Sequence, residues 1–488
     1  MTPHFADLRF GEDDAKSDRR LADYFIRIPE YELVRTGEAM IVVGRKGTGK
    51  SAICEMLSDS ARGEPGVFAA NLSFKDSPSA VMFEATDERF TGSSQYISIW
   101  KFVIALETAK LVLEDNSVPS PEREGLERFL RENFGAPGTH YLDAVSTLKD
   151  QGWSLRFPDI LPHLGGTGIS KTAKTTESRQ LHFGLAAKEL LERLRGLPTR
   201  NVFYLLFDQL DEDYGRLPRY LDLLMSLLKA AYQVRQEMQT GKMKLRPVIV
   251  IREDVHSHLK DADLNKLSAY TVRLRWKKHF TGPDQPSLRG LVLERIRSSL
   301  GEPPGRSWGD LNALWPAVVD EMKWKGPTAT AWDYLVNKTM LRPRDIIQAL
   351  KRCQPYETGA KLTPTAINGA SVSYAEWLYN EIGDEMGTDL NEWREALGLL
   401  GQVGGQFTLR TWEAGFSKHA VLNEKHKPLD VLQKLYEYGA IGMVGPRFWT
   451  FKFSDPQLLF DKTAAFGVHW GLRPYLSISG GIPILFES

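Results

Sequence analysis

The stretch MIVVGRKGTGKSAICEML, residues 40–57, decides the fold. Its apolar run from Met40 to Val43 reads as a strand, Gly44 opens a turn, Gly49-Lys50-Ser51 closes it, and a helix-forming run follows. That order and spacing fit a phosphate-binding P-loop. Glycines at 44, 47 and 49 allow positive φ values that turn successive N–H groups inward, which makes an anion nest at the start of the following helix. Lys50 is placed to reach β and γ phosphates, and the Ser51 hydroxyl to reach Mg²⁺. The candidate nucleotide-binding set is Gly44, Arg45, Lys46, Gly47, Thr48, Gly49, Lys50, Ser51 and Ala52.

Working outward, residues 200–215 read RNVFYLLFDQLDEDYG, a continuously apolar strand that ends on Asp208. Unbroken apolarity suits a strand covered on both faces, as in a parallel α/β sheet. An acid at the C-terminal end of such a strand faces the P-loop and can hold the Mg²⁺ water shell, so Asp208 is the candidate metal partner of Ser51. Asp211 and Glu212 follow, either as carboxylates that orient an attacking water or as a solvated acidic turn. A third strand, RPVIVIREDV at 246–255, ends on Arg252, a candidate γ-phosphate sensor. YTVRLRW at 270–276 alternates polar and apolar residues and reads as an outer strand. The candidate catalytic set is therefore Lys50, Asp208, Asp211, Glu212 and Arg252, with Ser51 and Asp208 on the metal.

Far more chain lies between Lys50 and Asp208 than one strand and one helix need, which predicts a mostly helical insertion at about 75–198. The organisation expected is an N-terminal lead-in at 1–37, a P-loop core at 38–280, a helical lid at 286–385 and a terminal domain at 386–488. In the lid, RPRD at 342–345 puts Arg342 and Arg344 at a helix start, where they either contact bound phosphate or serve as ordinary flanks of a proline-capped helix. The last hundred residues carry three helical runs and then IGMVGPRFWTFKF, a hairpin pattern, in the order of a winged helix. His469 in GVHWGL either touches a bound phosphate from the winged-helix side or, the more ordinary case, is a satisfied structural histidine, and Asp455, directly after the hairpin, occupies that place more naturally.

The chain has 488 residues, enough for two to four domains. Apolar content of 42% and charged content of 25% are those of a globular protein, and Lys plus Arg equals Asp plus Glu at 62 each. No global field therefore draws the chain to nucleic acid or to a membrane surface. The two cysteines, Cys54 and Cys353, point to a reducing compartment, and no apolar run approaches the length of a membrane span, so a cytoplasmic protein is expected.

The P-loop, FDQLDE, VIREDV, a lid with RPRD and a winged-helix ending together resemble the AAA+-related STAND and KAP class of bacterial stand-alone P-loop ATPases. FGEDDAKSDRRLADYFIRIPEY and FGVHWGLRPYL look similar to that family too. The resemblance implies ATP or ADP held with Mg²⁺, slow hydrolysis, a switch that drives assembly into a homo-oligomer, and a role in bacterial stress or antiphage defence. No repeat array for ligand sensing and no toxic catalytic motif is present, so the resemblance implies a separately encoded effector as partner. A DNA-associated ATPase that grips duplex with its winged helix is the competing class, although the terminal domain is only slightly basic. A small-molecule kinase would not need parts of this size. The absence of an NKxD motif favours ATP over GTP.

Overall fold

The computed structural model describes residues 4–73, 94–134, 140–150, 177–210, 219–277, 287–305, 307–321, 330–445, 449–455 and 457–479. Asp211 and Glu212, part of the expected insertion and the hairpin turn at 446–448 lie outside them. The chain resolves into two compact units, one of residues 30–45 and 50–274, the other of residues 1–29, 46–49 and 275–488.

The first unit is built on a five-stranded parallel sheet: β1 (Ile41–Gly44), β2 (Val67–Ser73), β3 (Val202–Asp208), β4 (Lys244–Arg252) and β5 (Thr271–Arg273), in the order β2-β3-β4-β1-β5. Ile41 pairs with Ile249 and Gly44 with Arg252, while Ser73 pairs with Asp208. This register brings the C-terminal ends of β1, β3 and β4 to one edge, where α/β sheets bind ligands. The continuously apolar β3 is buried from Phe203 to Phe207, as a strand covered on both faces must be. β5 lies at the sheet's edge, with Val272 buried and Arg273 exposed, which is the alternation its sequence shows.

Two long helices lie between β2 and β3: α1 (Ser94–Glu114) packs on β2 and β3, and α2 (Glu177–Gly196) packs on α1. α1 is predominantly apolar, with Lys101 and Lys110 paired to Glu237 and Glu107, and is correspondingly enclosed, with Ile99, Phe102, Val103, Ala109 and Val112 all fully buried. Trp100 anchors it, packing edge-on against Phe207 at 6.1 Å and donating its indole N–H to the Leu223 carbonyl at 3.1 Å. Leu223 belongs to α3 (Tyr220–Met238), which leads into β4.

The second unit gathers segments that the sequence separates. Phe5, Leu8 and Phe10 share one apolar core with Leu288, Trp315, Trp332, Leu397 and Phe466. The expected lead-in, lid and terminal domain therefore do not stand apart: residues 1–29 and 275–488 bury a common core. The N-terminal segment is held by polar ties as well. Arg9 N–H donates to Ser299 Oγ at 2.7 Å, Tyr24 hydroxyl to Asp18 at 2.5 Å, and the Arg295 guanidinium to the Phe10 carbonyl.

Two helices of this unit bear on the site, α4 (Pro343–Cys353) and α5 (Ser371–Met386). α4 begins with Arg342 at its N-cap and Pro343 at its first position, where a missing N–H costs nothing. After them come α6 (Trp393–Val403), α7 (Leu409–Phe416), α8 (Ala420–Lys425) and α9 (Pro428–Glu437). An antiparallel sheet of order β6-β9-β7-β8 completes the unit, formed by Gln406–Phe407, Ala465–Val468, Ile441–Val444 and Trp449–Thr450 in that spatial order.

Candidate functional site

At the end of β1 the chain turns through residues 45–49 into a helix, α10 (Lys50–Gly63). Gly47 and Gly49 take φ values of 79° and 95°, a region that favours glycine. A Cβ at Gly47 would stand 3.0 Å from the Arg344 Cβ, so a larger residue there would be strained in its backbone and would press on Arg344.

In the sheet unit, Ser51 Oγ donates to Asp208 Oδ1 at 3.2 Å, and Lys50 Nζ donates to the Arg45 carbonyl at 2.9 Å. Asp208 is 4% exposed at the end of β3. The next residue, Gln209, holds φ at 60°, a left-handed conformation uncommon outside glycine and often found at functional positions. Cys54, one turn along α10, is buried as its small apolar side chain suggests. Arg252 is turned toward Asp254, with Nε at 3.1 Å and Nη2 at 2.5 Å from its carboxylate oxygens.

A hydroxyl beside a strand-end carboxylate is the oxygen-only pair that a Mg²⁺ ion uses when it shares phosphate oxygens and water. The residues present fit that ion, with Ser51 and Asp208 as its protein ligands, direct or through water. Among the described residues no group of three or more His, Cys, Asp or Glu side chains is arranged to hold a metal without such a ligand.

Residues 46–49, the tip of the loop, belong to the helical unit together with Arg342 and Arg344. Arg342 Nη1 donates to the Lys46 carbonyl at 3.2 Å, and the Arg344 backbone N–H to the Gly47 carbonyl at 3.3 Å. Trp276 Nε1 donates to the Thr48 carbonyl at 2.9 Å. Arg342 is 1% exposed and lies between Asp345, 2.9 Å from its guanidinium, and Glu385. Burial disfavours its charge, but those two carboxylates outweigh burial, and its pKa is raised. Leu341, just before it, holds φ at 54°. Lys46 and Arg344 share one acid: Lys46 Nζ is 3.3 Å from Glu381 Oε2, and Arg344 Nη1 is 3.0 Å from Glu381 Oε1.

The structure thus brings Gly44, Lys50, Ser51 and Asp208 together at the sheet's edge, and Lys46, Gly47, Thr48, Arg342 and Arg344 together at the loop tip. Ala52 lies half-buried at the start of α10. Glu381, Glu385 and Trp276 were not anticipated. Glu381 and Glu385 stand four apart on α5 and are both buried, and two buried acids on one helical face are a signal that sequence periodicity can reveal. His469 is fully buried, its ring edge-on to Phe451 at 5.1 Å and its Nδ1 accepting from the Gly471 N–H at 3.1 Å. Asp455 is exposed and accepts from the Gln457 N–H.

Fold and site together are those of a P-loop α/β protein: a parallel sheet, a phosphate loop between β1 and α10, and a strand-end acid beside its serine. Residues 286–383 match the FunZ-associated C-terminal helical domain. The chain is 23% identical over 359 residues to the transposon gamma-delta 80.3 kDa protein of Escherichia coli (strain K12), covering 70% of this chain. It spans about half, 46%, of that relative's length. Among solved structures, Cdc6p from Pyrobaculum aerophilum aligns over 90% of this chain and 86% of its own, at 15% identity and a TM-score of 0.28. No helix among the described residues is long and apolar enough to cross a membrane.

Proposed function

We propose that the chain is an ATP-binding and slowly hydrolysing P-loop switch of the AAA+-related STAND or KAP kind, which passes the state of its nucleotide to a separately encoded partner. The observation that carries this reading is the Ser51–Asp208 hydrogen bond at 3.2 Å beside the start of α10. It poises a metal-binding pair next to a loop whose N–H groups cradle phosphate.

In this reading Lys50 leaves the Arg45 carbonyl for the β and γ phosphates, and the backbone of residues 44–51 supplies donors to their oxygens. Bound Mg²⁺ would neutralise charge that develops between those phosphates. Asp208 would help hold that ion, and its bond to Ser51 keeps the serine hydroxyl aligned. Water activation falls to Asp211 or Glu212. Because carbonyls of the loop tip accept from Arg342, Arg344 and Trp276, a change in loop conformation must be felt by α4. This link supports a switch rather than a simple hydrolase.

The second reading, a DNA-associated ATPase, draws on the transposon relative and on the terminal helices and hairpin, whose order is that of a winged helix. Charge speaks against it. Lys425 is tied to Glu392 at 2.7 Å, Lys434 donates to the Asp389 carbonyl and Lys452 to the Leu458 carbonyl, so three of the domain's cations are already engaged, while Arg410, Lys418 and Lys427 are exposed. Turnover of the purified chain, measured with and without duplex DNA across a salt series, separates the two. The switch predicts slow, DNA-indifferent turnover; stimulation that fades steeply with salt would establish the DNA reading instead.

A further inference from the structure

Glu381 occupies an unusual place for a buried acid. One oxygen faces Lys46 on the phosphate loop at 3.3 Å, the other faces Arg344 at the start of α4 at 3.0 Å, and its side chain is 9% exposed. Its two partners differ from the neighbouring Arg342. Arg342 is 1% exposed and pinned by two buried carboxylates, so releasing it would strand both acids. Lys46 and Arg344 have side chains 31% and 25% exposed, and each can rotate away from Glu381 while staying in contact with solvent. Two exchangeable cations, one on the loop itself and one touching it through the Gly47 carbonyl, thus meet on one buried carboxylate, and the exposed Asp384, 3.9 Å from Lys46 Nζ, adds a weaker, solvent-screened contact.

A carboxylate and a terminal phosphate compete for the same donors, and guanidinium and ammonium groups bind both. The third phosphate adds charge and acceptors that a diphosphate lacks. We infer that Glu381 sets the discrimination between nucleoside triphosphate and diphosphate, by holding Lys46 and Arg344 until the γ-phosphate takes them. This inference rests on the reading of the loop as a nucleotide site. Glu381 is a positioning residue in this scheme: it touches the cations and not the reacting atoms. Since the cations it releases belong to the loop and to α4, the same exchange of partners removes the buried tie between them and α5, which gives the helical unit a contact present without the γ-phosphate and absent with it.

The test is equilibrium binding of fluorescent ATP and ADP analogues to wild type, Glu381→Gln, Lys46→Met/Arg344→Met, and the combination of all three substitutions. Glu381→Gln should tighten the triphosphate roughly 5- to 20-fold, the lower part of the range for coupled sites, and change the diphosphate by less than about 2-fold. In the Lys46→Met/Arg344→Met background the Glu381 substitution should have no effect. Lys46→Met alone provides a second route, and it should weaken the triphosphate more than the diphosphate. Equal changes for both nucleotides, or an effect of Glu381→Gln that survives loss of both cations, would overturn the inference. If wild type binds neither nucleotide, the nucleotide reading itself fails; if wild type binds both and Glu381→Gln matches it, only the role of Glu381 fails.

Discussion

Replacing Arg342 by methionine removes the positive centre of a buried cluster and leaves its two acids in place. The side chains of Asp345 and Glu385 are 0% and 6% exposed, so neither carboxylate gains water when the guanidinium goes. Breaking a buried ion pair by removing one partner costs about 3–5 kcal/mol, because an uncompensated charge stays behind. Two such acids share one cation here, and the bond to the Lys46 carbonyl is lost as well, so about 4 kcal/mol is expected. At about 1.4 kcal/mol per decade, that lowers the folded-to-unfolded ratio of the helical unit several-hundredfold or more. Of the twelve tryptophans only Trp100 and Trp153 precede residue 275, so intrinsic fluorescence during urea unfolding reports chiefly on this unit. Adding Asp345→Asn and Glu385→Gln should recover about half of the loss, since neutral amides tolerate burial better than stranded carboxylates. A loss below about 1 kcal/mol for Arg342→Met would refute the argument, as it would place the cluster in contact with water.

His256 and Asp208 give two further predictions. Burial and then the Arg273 charge push the His256 pKa down to about 4 from 6.5, so between those values the unfolded chain binds the proton that the folded chain refuses. Stability should therefore hold above pH 6.5 and fall by about 1–2 kcal/mol on acidification toward pH 4, after allowance for partial exposure, and His256→Gln should flatten that slope in pH-dependent melting. Asp208→Asn keeps a hydrogen-bonding partner for Ser51 but removes the charge that the metal needs. Turnover should fall about 100-fold or more with nucleotide binding changed by less than about 10-fold, and a variant with undiminished turnover would take Asp208 out of the metal site.

The parts of the site legible in sequence are those whose chemistry constrains neighbours in the chain. A P-loop must be an apolar strand, a glycine-rich turn and a lysine-serine helix start in that order, so residues 40–57 declare themselves. Asp208 is visible for a similar reason, since a run as apolar as 202–207 that stops at an acid has few other meanings in a parallel sheet. β2 was harder to see, because an edge strand tolerates polar residues such as Asn71, and only its pairing with β3 and the stacking of Phe68 on Phe203 at 5.1 Å define it. The two-residue β6 and the glycine-interrupted β9 carry too little pattern to register, and they become strands through each other and β7. Packing of Phe5, Leu8 and Phe10 with residues beyond 287 is a long-range event with no local trace. Glu381 was hidden for the same reason: its meaning comes from Lys46 and Arg344, which lie far away in sequence and meet it only in the folded unit.

The central claim is that residues 44–51 hold a nucleotide with the help of Ser51 and Asp208, and it is tested most directly by denaturing the purified protein and identifying what it releases. The account predicts ADP or ATP in near-stoichiometric amount from wild type and none from Lys50→Ala, provided the variant retains its folded circular-dichroism spectrum. A wild-type protein that releases no nucleotide and takes up none when supplied with Mg²⁺, or a folded Lys50→Ala that binds as wild type does, would contradict it.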